Sequence, residues 1–70
     1  MPTGTVTAYS GPAGHGLIAA DDDGAVLFVH RGSILLAGTT LAVGERVEFA
    51  VQAGGMGVQA VDVQPLAGGA

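Results

Sequence analysis

The chain has 70 residues and contains no cysteine, no lysine and no tryptophan. Without cysteine it can form no disulfide, no thiolate zinc site and no thiol nucleophile. This composition fits a reducing compartment, and we expect a cytoplasmic protein. Positive charge is scarce as well, because two arginines face six acidic residues and the net charge is −4. That balance argues against a strong binder of polyanions.

Long uninterrupted segments are also missing. The longest stretch without glycine or proline is the nine residues from Glu45 to Ala53. An amphipathic helix needs roughly 10–12 residues, so a helical bundle is excluded. No apolar run approaches the ~20 residues of a membrane span. Met1–Thr3 starts no basic-then-apolar segment, so we expect no signal peptide.

Short segments bounded by turn residues are typical of strands in a small barrel or sandwich. They predict an all-β fold, a five-stranded antiparallel Greek-key barrel of the OB type. We expect one domain over residues 1–66, a flexible tail over residues 67–70, and a monomer. The predicted strands are Thr5–Tyr9, His15–Ala20, Ala25–His30, Glu45–Gln52 and Val58–Val63.

Strict alternation assigns the side chains of these strands to faces. In the first strand it places Val6 and Ala8 on one face and the threonines with Tyr9 on the other. In the fourth it points Val47, Phe49 and Val51 inward. In the fifth, Val61 and Val63 share a face that Val58 does not, and a bulge would reconcile them. We also expect a turn at Asp21–Gly24, a short helical turn near Ser33, and a bulge or close backbone approach at Gly16.

Few residues are suited to catalysis or metal binding, so we expect neither an enzyme nor a cofactor. His15 and His30 lack further ligands at metal-binding spacing, and the simpler interpretation is two surface imidazoles. Asp21–Asp23 lack the alternating ligands of a calcium loop and are better explained as a solvated hairpin tip. Ser10 and Ser33 have no orienting third group for nucleophilic catalysis. Gly11–Gly16 has the wrong glycine spacing for a dinucleotide site.

A surface argument remains. His15 and Leu17 share one face of the second strand, and Phe28 and His30 share one face of the third. Adjacent strands would display all four together, with Tyr9 and Arg31 nearby. An outward Phe28 suits base stacking. The alternative is that Phe28 closes one end of the core, and periodicity does not decide between the two.

In these residues the sequence resembles a cold-shock domain, from Gly4 to about Leu66. Gly4–Tyr9 stands where that family has G-x-V-K-W-F, and Ala13–Ile18 where it has K-G-F/Y-G-F-I. Leu27–Ile34 corresponds to V-F-V-H-x-S-x-I, and Leu41–Phe49 matches L-x-x-G-x-x-V-x-F in full. The resemblance implies an OB-type barrel that binds single-stranded RNA or DNA on the aromatic side chains of strands two and three.

The departures from the family pattern fall on the binding face. Ala8 replaces a tryptophan, Thr7 and Ala13 replace lysines, and His15, Leu17 and Arg31 replace aromatic residues. Phe28 and His30 are unchanged, and Tyr9 is a conservative exchange. With at most about two phosphates neutralised, the log–log salt slope would lie near −1.4.

Two functions follow. The first is weak binding of single-stranded nucleic acid through Tyr9, His15, Leu17, Phe28, His30 and Arg31. The second is a cold-shock scaffold that has lost this ligand and contacts protein through apolar residues such as Leu17, Leu35 and Leu36.

Overall fold

The computed structural model describes residues 2–35, 41–55 and 57–66. Leu36 and the predicted tail lie outside these residues. The described chain forms five strands and one 3₁₀ turn. In chain order they are β1 (Thr3–Ser10), β2 (His15–Ala20), β3 (Val26–His30), the 3₁₀ turn (Arg31–Ser33), β4 (Arg46–Gly54) and β5 (Gly57–Pro65).

The strands close into a barrel in the order β1–β2–β3–β5–β4. The neighbours β1–β2, β2–β3, β4–β5 and β1–β4 are antiparallel, whereas β3 and β5 run parallel. Closure removes the open strand edges that a small sheet would expose. The predicted five-stranded OB-type barrel is therefore confirmed, with one parallel pair in it.

The interior of the barrel is apolar, and no polar or charged residue among those described is buried in it. Inward-facing residues alternate along the strands, as their period of two requires. Phe49 is the largest fully buried side chain. The core consists of Val6, Ile18, Leu27, Val29, Ile34, Leu41, Val47, Phe49, Ala60 and Val63.

β1 has one extra residue relative to β2. Val6 pairs with Ile18 and Ala8 with Leu17, which leaves Thr7 without an opposite partner. A bulge of this kind interrupts the alternation, so Val6 is buried and Ala8 is exposed. The expectation that Val6 and Ala8 share a face was wrong, because it assumed an unbroken period of two.

The fifth strand contains a bulge, as predicted, but it lies at Asp62 and not between Val58 and Val61, where it would have put the three valines on one face. The β4–β5 register shifts there, so that Asp62 and Val63 together lie opposite Phe49. Asp62 adopts a left-handed backbone with φ of 52°. Ala60 and Val63 reach the core. The expectation that Val61 shares the face of Val63 was wrong because the bulge lies between them.

The connections follow the predicted turns. The Asp21–Gly24 turn joins β2 to β3, with Gly24 in the left-handed region at φ 71°. The helical turn predicted near Ser33 is the 3₁₀ turn. Gly16 is a site of close backbone approach, because a Cβ there would collide with the carbonyl oxygen of Ala8 and lie 2.8 Å from the Tyr9 ring.

Candidate nucleic-acid interface

The β2–β3 ladder places the predicted site residues of these strands side by side. His15 pairs with His30 and Leu17 pairs with Phe28. Their neighbours on each strand face the core, so these four side chains share the outer face of the barrel. His15, Leu17 and His30 are exposed and Phe28 is partly buried. Phe28 therefore does not close the core, and the outward orientation is the one observed.

His15 and Phe28 are in diagonal contact on this face. Their ring centroids lie 5.6 Å apart and their planes meet at 27°, which is a stacked arrangement. Diagonal neighbours on antiparallel strands are within reach of aromatic side chains. The result is a flat, partly desolvated surface of two rings, the kind of surface on which a base can stack.

His30 has a structural role in addition to its place on this face. It is the N-terminal cap of the 3₁₀ turn, and its Nδ1 accepts a hydrogen bond of 3.0 Å from the backbone N–H of Gly32. An N-cap side chain satisfies a backbone donor that the helix itself cannot satisfy. This bond fixes the orientation of the imidazole ring, so Nε2 is the nitrogen left for an external partner.

Arg31 is held beside the start of β2. Its backbone N–H donates to the carbonyl oxygen of Gly14 at 2.7 Å. Its guanidinium packs over Gly14, because a Cβ at that glycine would lie 3.2 Å from Cζ of Arg31. Gly14 has φ of 76°, a conformation that glycine adopts without strain. The planar cation therefore lies one residue from His15 and is exposed to solvent.

Tyr9 is not on the outer face, which corrects the expectation from alternation. The bulge at Thr7 turns Tyr9 inward, where it pairs with Gly16 and packs against the core. Its ring occupies the space that the missing side chain of Gly16 leaves. Of the six predicted site residues, the structure brings together His15, Leu17, Phe28, His30 and Arg31.

Three further residues lie beside this face, of which Ala8 was expected there from the family pattern and the two glutamines were missed. Ala8 lies opposite Leu17 on the outer side of β1, because of the same bulge. Gln59 of β5 pairs with Phe28 and continues the row, and Gln52 of β4 follows it. The two amides can donate and accept hydrogen bonds. No local pattern points to Gln59, since its position depends on the parallel β3–β5 pairing.

The second arginine is occupied elsewhere. Nη1 and Nη2 of Arg46 donate to the two carboxylate oxygens of Asp21 at 2.8 and 2.5 Å, and Nη1 also donates to Oγ1 of Thr5. Hydrogen bonds from Arg46 and then from Thr3 hold the pKa of Asp21 well below its ordinary value, and the same pair raises the pKa of Arg46. Asp21 is therefore ion-paired, whereas the sequence suggested only a solvated hairpin tip.

Within residues 2–35, 41–55 and 57–66, no carboxylate forms an ion pair with Arg31. The same residues contain no group of three histidine, cysteine or acidic side chains that could hold a metal ion. No helix in the described part of the chain is long and apolar enough to cross a membrane. The outer face is thus an aromatic and apolar surface with one available cation.

Comparison with known families decides the assignment. The model of the "'Cold-shock' DNA-binding domain" matches residues 2–66. The chain belongs to the cold-shock domain family. The resemblance noted in the sequence motifs is thereby confirmed, and membership supports nucleic-acid binding in general.

Relatives of this cold-shock domain occur in bacteria and plants. It is 43% identical over 65 residues to "Cold shock-like protein CspA" of Vibrio cholerae, covering 91% of this chain and 93% of the relative. It is 40% identical over 67 residues to "Major cold shock protein" of Micrococcus luteus, covering 94% and 100%. It is 50% identical over 62 residues to "Glycine-rich protein 2" of Nicotiana sylvestris, covering 86% of this chain but 29% of that protein.

Proposed function

We propose that this cold-shock domain binds single-stranded RNA or DNA weakly, through the outer face of β2 and β3. The observation that carries the proposal is the stack of His15 on Phe28, exposed beside Leu17. Every nucleobase has a flat face that can continue such a stack, so this mode of binding tolerates different sequences. Arg31 adds a planar cation that can pair with a phosphate or stack on a base.

The weakness of the binding follows from the side chains present. The family resemblance marks Ala8, Leu17 and Arg31 as positions where an aromatic ring is usual, and none of them carries one here. Each stacked base contributes roughly 1–3 kcal/mol, so missing rings lower the affinity by several kcal/mol. The net charge of −4 repels a polyanion, and Arg46 is held by Asp21.

Acid pH should strengthen the binding. Imidazole is the side chain that gains a proton between pH 5 and 8. The groups that face His15 are Ser10 of β1 and His30 and Phe28 of β3, with Arg31 at the end of that strand, and none is a carboxylate. Positive charge on the His15 imidazole would thus face no carboxylate among the described residues and would attract phosphate. His30 adds no such charge while its Nδ1 accepts from Gly32, because a second ring proton would have to occupy that nitrogen.

The test is an amide chemical-shift titration of the ¹⁵N-labelled chain with hexathymidine, in low salt, near pH 6 and near pH 7.5. The expected shifts cluster on His15, Leu17, Phe28, His30 and Arg31 and are larger at the lower pH. Val43, which is 68% exposed and belongs to neither β2 nor β3, serves as an internal control and should not move. Shifts that avoid β2 and β3, or no shifts at millimolar hexathymidine, would overturn the proposal.

A second function, contact with a protein partner, is supported by the exposure of two leucines. Leu17 and Leu35 are 38% and 53% exposed, and they could contact a protein instead of a base. Leu35→Thr separates the two functions, because Leu35 is exposed and is used by the protein contact but is not one of the residues of the nucleic-acid face. In both cases we propose a cytoplasmic, monomeric binding module without catalytic activity, in keeping with a chain that has no cysteine.

A further inference from the structure

One end of the barrel holds a cleft that the proposed nucleic-acid face does not use. Its volume is about 460 Å³. Leu27 and Phe49, 5% and 0% exposed, form the floor. The walls are valines, and the outer rim is acidic. None of His15, Leu17, Phe28 and His30 lines it.

The cleft opens where two neighbouring strands stop pairing. The parallel β3–β5 ladder consists of Phe28 with Gln59 and Val29 with Ala60. Among the described residues it does not continue toward the strand starts, so Leu27 and Val58 form no pair. Both residues line the cleft instead. The space is therefore a consequence of the barrel topology.

The walls are unusually exposed for valine side chains. Val26, Val51 and Val58 are 60%, 52% and 51% exposed, and all three line the cleft. Val51 was expected to be buried inside the barrel, but it is exposed, because the cleft opens over it although its partner Ala60 is buried. Single exposed apolar residues are ordinary, but a contiguous group around a concave site marks a binding surface.

The rim has charge of one sign. Asp22 and Asp23 line the cleft, and no basic residue does among those described. Oδ1 of Asp23 accepts from the backbone N–H of Ala25 at 2.9 Å, which fixes its carboxylate at the rim. With a net charge of −4 on the chain, the cleft repels anions and attracts cations.

We propose that this cleft binds a segment of a partner protein in which an apolar side chain is flanked by lysine or arginine. The apolar side chain would enter between Val51 and Val58 and rest on Phe49. The flanking basic group would lie against Asp22 and Asp23. The volume suits one or two side chains, at the small end of the ~300–1,000 Å³ typical of ligand sites. The acidic rim makes this partner different from the nucleic acid bound on the other face.

The probe is the acetylated, amidated pentapeptide Lys-Phe-Lys-Leu-Lys, titrated into the ¹⁵N-labelled full chain. Glu-Phe-Glu-Leu-Glu tests the charge and Lys-Ser-Lys-Ser-Lys tests the apolar contact. We expect shifts on Val26, Leu27, Val51 and Val58 with the first peptide, and an affinity at least about fivefold lower with each of the others. Equal binding of the three peptides, shifts away from the cleft, or no binding would overturn the proposal.

Variants then test the two contacts separately. The double substitution Val51→Thr with Val58→Thr keeps the side-chain shape. It should lower the affinity for the first peptide about tenfold. Val43→Thr is the control, since Val43 is 68% exposed and does not line the cleft. Asp22→Asn with Asp23→Asn should abolish the preference for lysine over glutamate, while the asparagine oxygen still accepts from Ala25. If these variants bind the peptides with unchanged affinity and unchanged preference for lysine, the cleft assignment is refuted. If they also still bind hexathymidine, the proposed nucleic-acid function is not affected by that result.

Discussion

The imidazole of His15 stacks on the ring of Phe28 across the β2–β3 ladder, with centroids 5.6 Å apart. His15 stands where related domains have an aromatic residue, and the contact shows that the ring pair is kept with different chemistry. An imidazole gives a smaller platform than a phenyl ring but can carry a proton. The outer face therefore carries an imidazole beside Phe28, at a position where the family pattern has another aromatic ring.

Two substitutions of His30 should distinguish its contribution to fold stability from its contribution to binding. His30→Ala removes both the ring and the cap on Gly32, and should lower the free energy of unfolding by about 1 kcal/mol. His30→Asn removes the ring but keeps a side-chain oxygen that can cap the turn, so its stability should stay close to that of the parent chain. Urea unfolding measures the first effect and hexathymidine affinity the second. Equal destabilisation by both substitutions would contradict the capping role.

The salt dependence of binding should reflect one arginine and not two. Because Arg46 is held by Asp21, phosphate contact is left to Arg31, and the log–log slope above pH 7 should be about −0.7. Titrations with hexathymidine at several salt concentrations give this slope. Arg31→Gln should flatten it toward zero, whereas Arg46→Gln should leave it unchanged. A parent slope near −1.4 would mean that Arg46 also contacts phosphate.

The Asp21–Arg46 pair should stabilise the fold in a pH-dependent way. The pKa of Asp21 is lowered in the folded state, so its stabilisation is present above the ordinary value of 3.8 and is lost as the pH falls through the folded value. Both side chains are exposed, so Asp21→Asn should lower the melting temperature at pH 7 by at most about 3 °C.

Asp22→Asn is the matched control for that substitution, because it changes the net charge equally without touching the ion pair. It should leave the melting temperature unchanged at pH 7 and at acid pH. The difference in melting temperature between the parent chain and Asp21→Asn should become smaller below a pH of about 3. A difference that stays constant down to acid pH would show that the carboxylate charge is not responsible.

The bulge in β5 should depend on the residue at Asp62. Its φ of 52° is left-handed, a conformation that glycine adopts freely and β-branched residues avoid. Asp62→Val should lower the free energy of unfolding by about 1–2 kcal/mol, while Asp62→Gly should have little effect. Urea unfolding of the two variants measures the difference. Equal stability of both would mean that the bulge is not fixed by this residue.

The sequence was sufficient to predict the barrel because turn residues separate its strands so regularly. The four residues of the outer face were also predictable, because β2 and β3 pair without a register shift. These residues are His15, Leu17, Phe28 and His30. The family motifs identified the same residues independently. These features depend on local patterns that neighbouring strands preserve.

What could not be predicted depends on register and on contacts between distant residues. The bulge at Thr7 exchanged the faces of Ala8 and Tyr9, and alternation contains no sign of an extra residue. The pairing of Arg46 with Asp21 joins residues 25 positions apart. The place of Gln59 beside Phe28 requires the parallel β3–β5 ladder. The first and third features change which side chains lie on the proposed face, and the second leaves one arginine instead of two for contact with phosphate.

The most direct test of the account is the affinity of Phe28→Ala for hexathymidine, measured by fluorescence or calorimetry near pH 6, with Val43→Ala as the control. We predict a loss of about 1–3 kcal/mol, which is roughly 5- to 150-fold, for Phe28→Ala and no change for the control. Urea unfolding should show that both variants remain folded. A folded Phe28→Ala chain that binds hexathymidine as tightly as the parent would contradict the assignment of the binding face to β2 and β3.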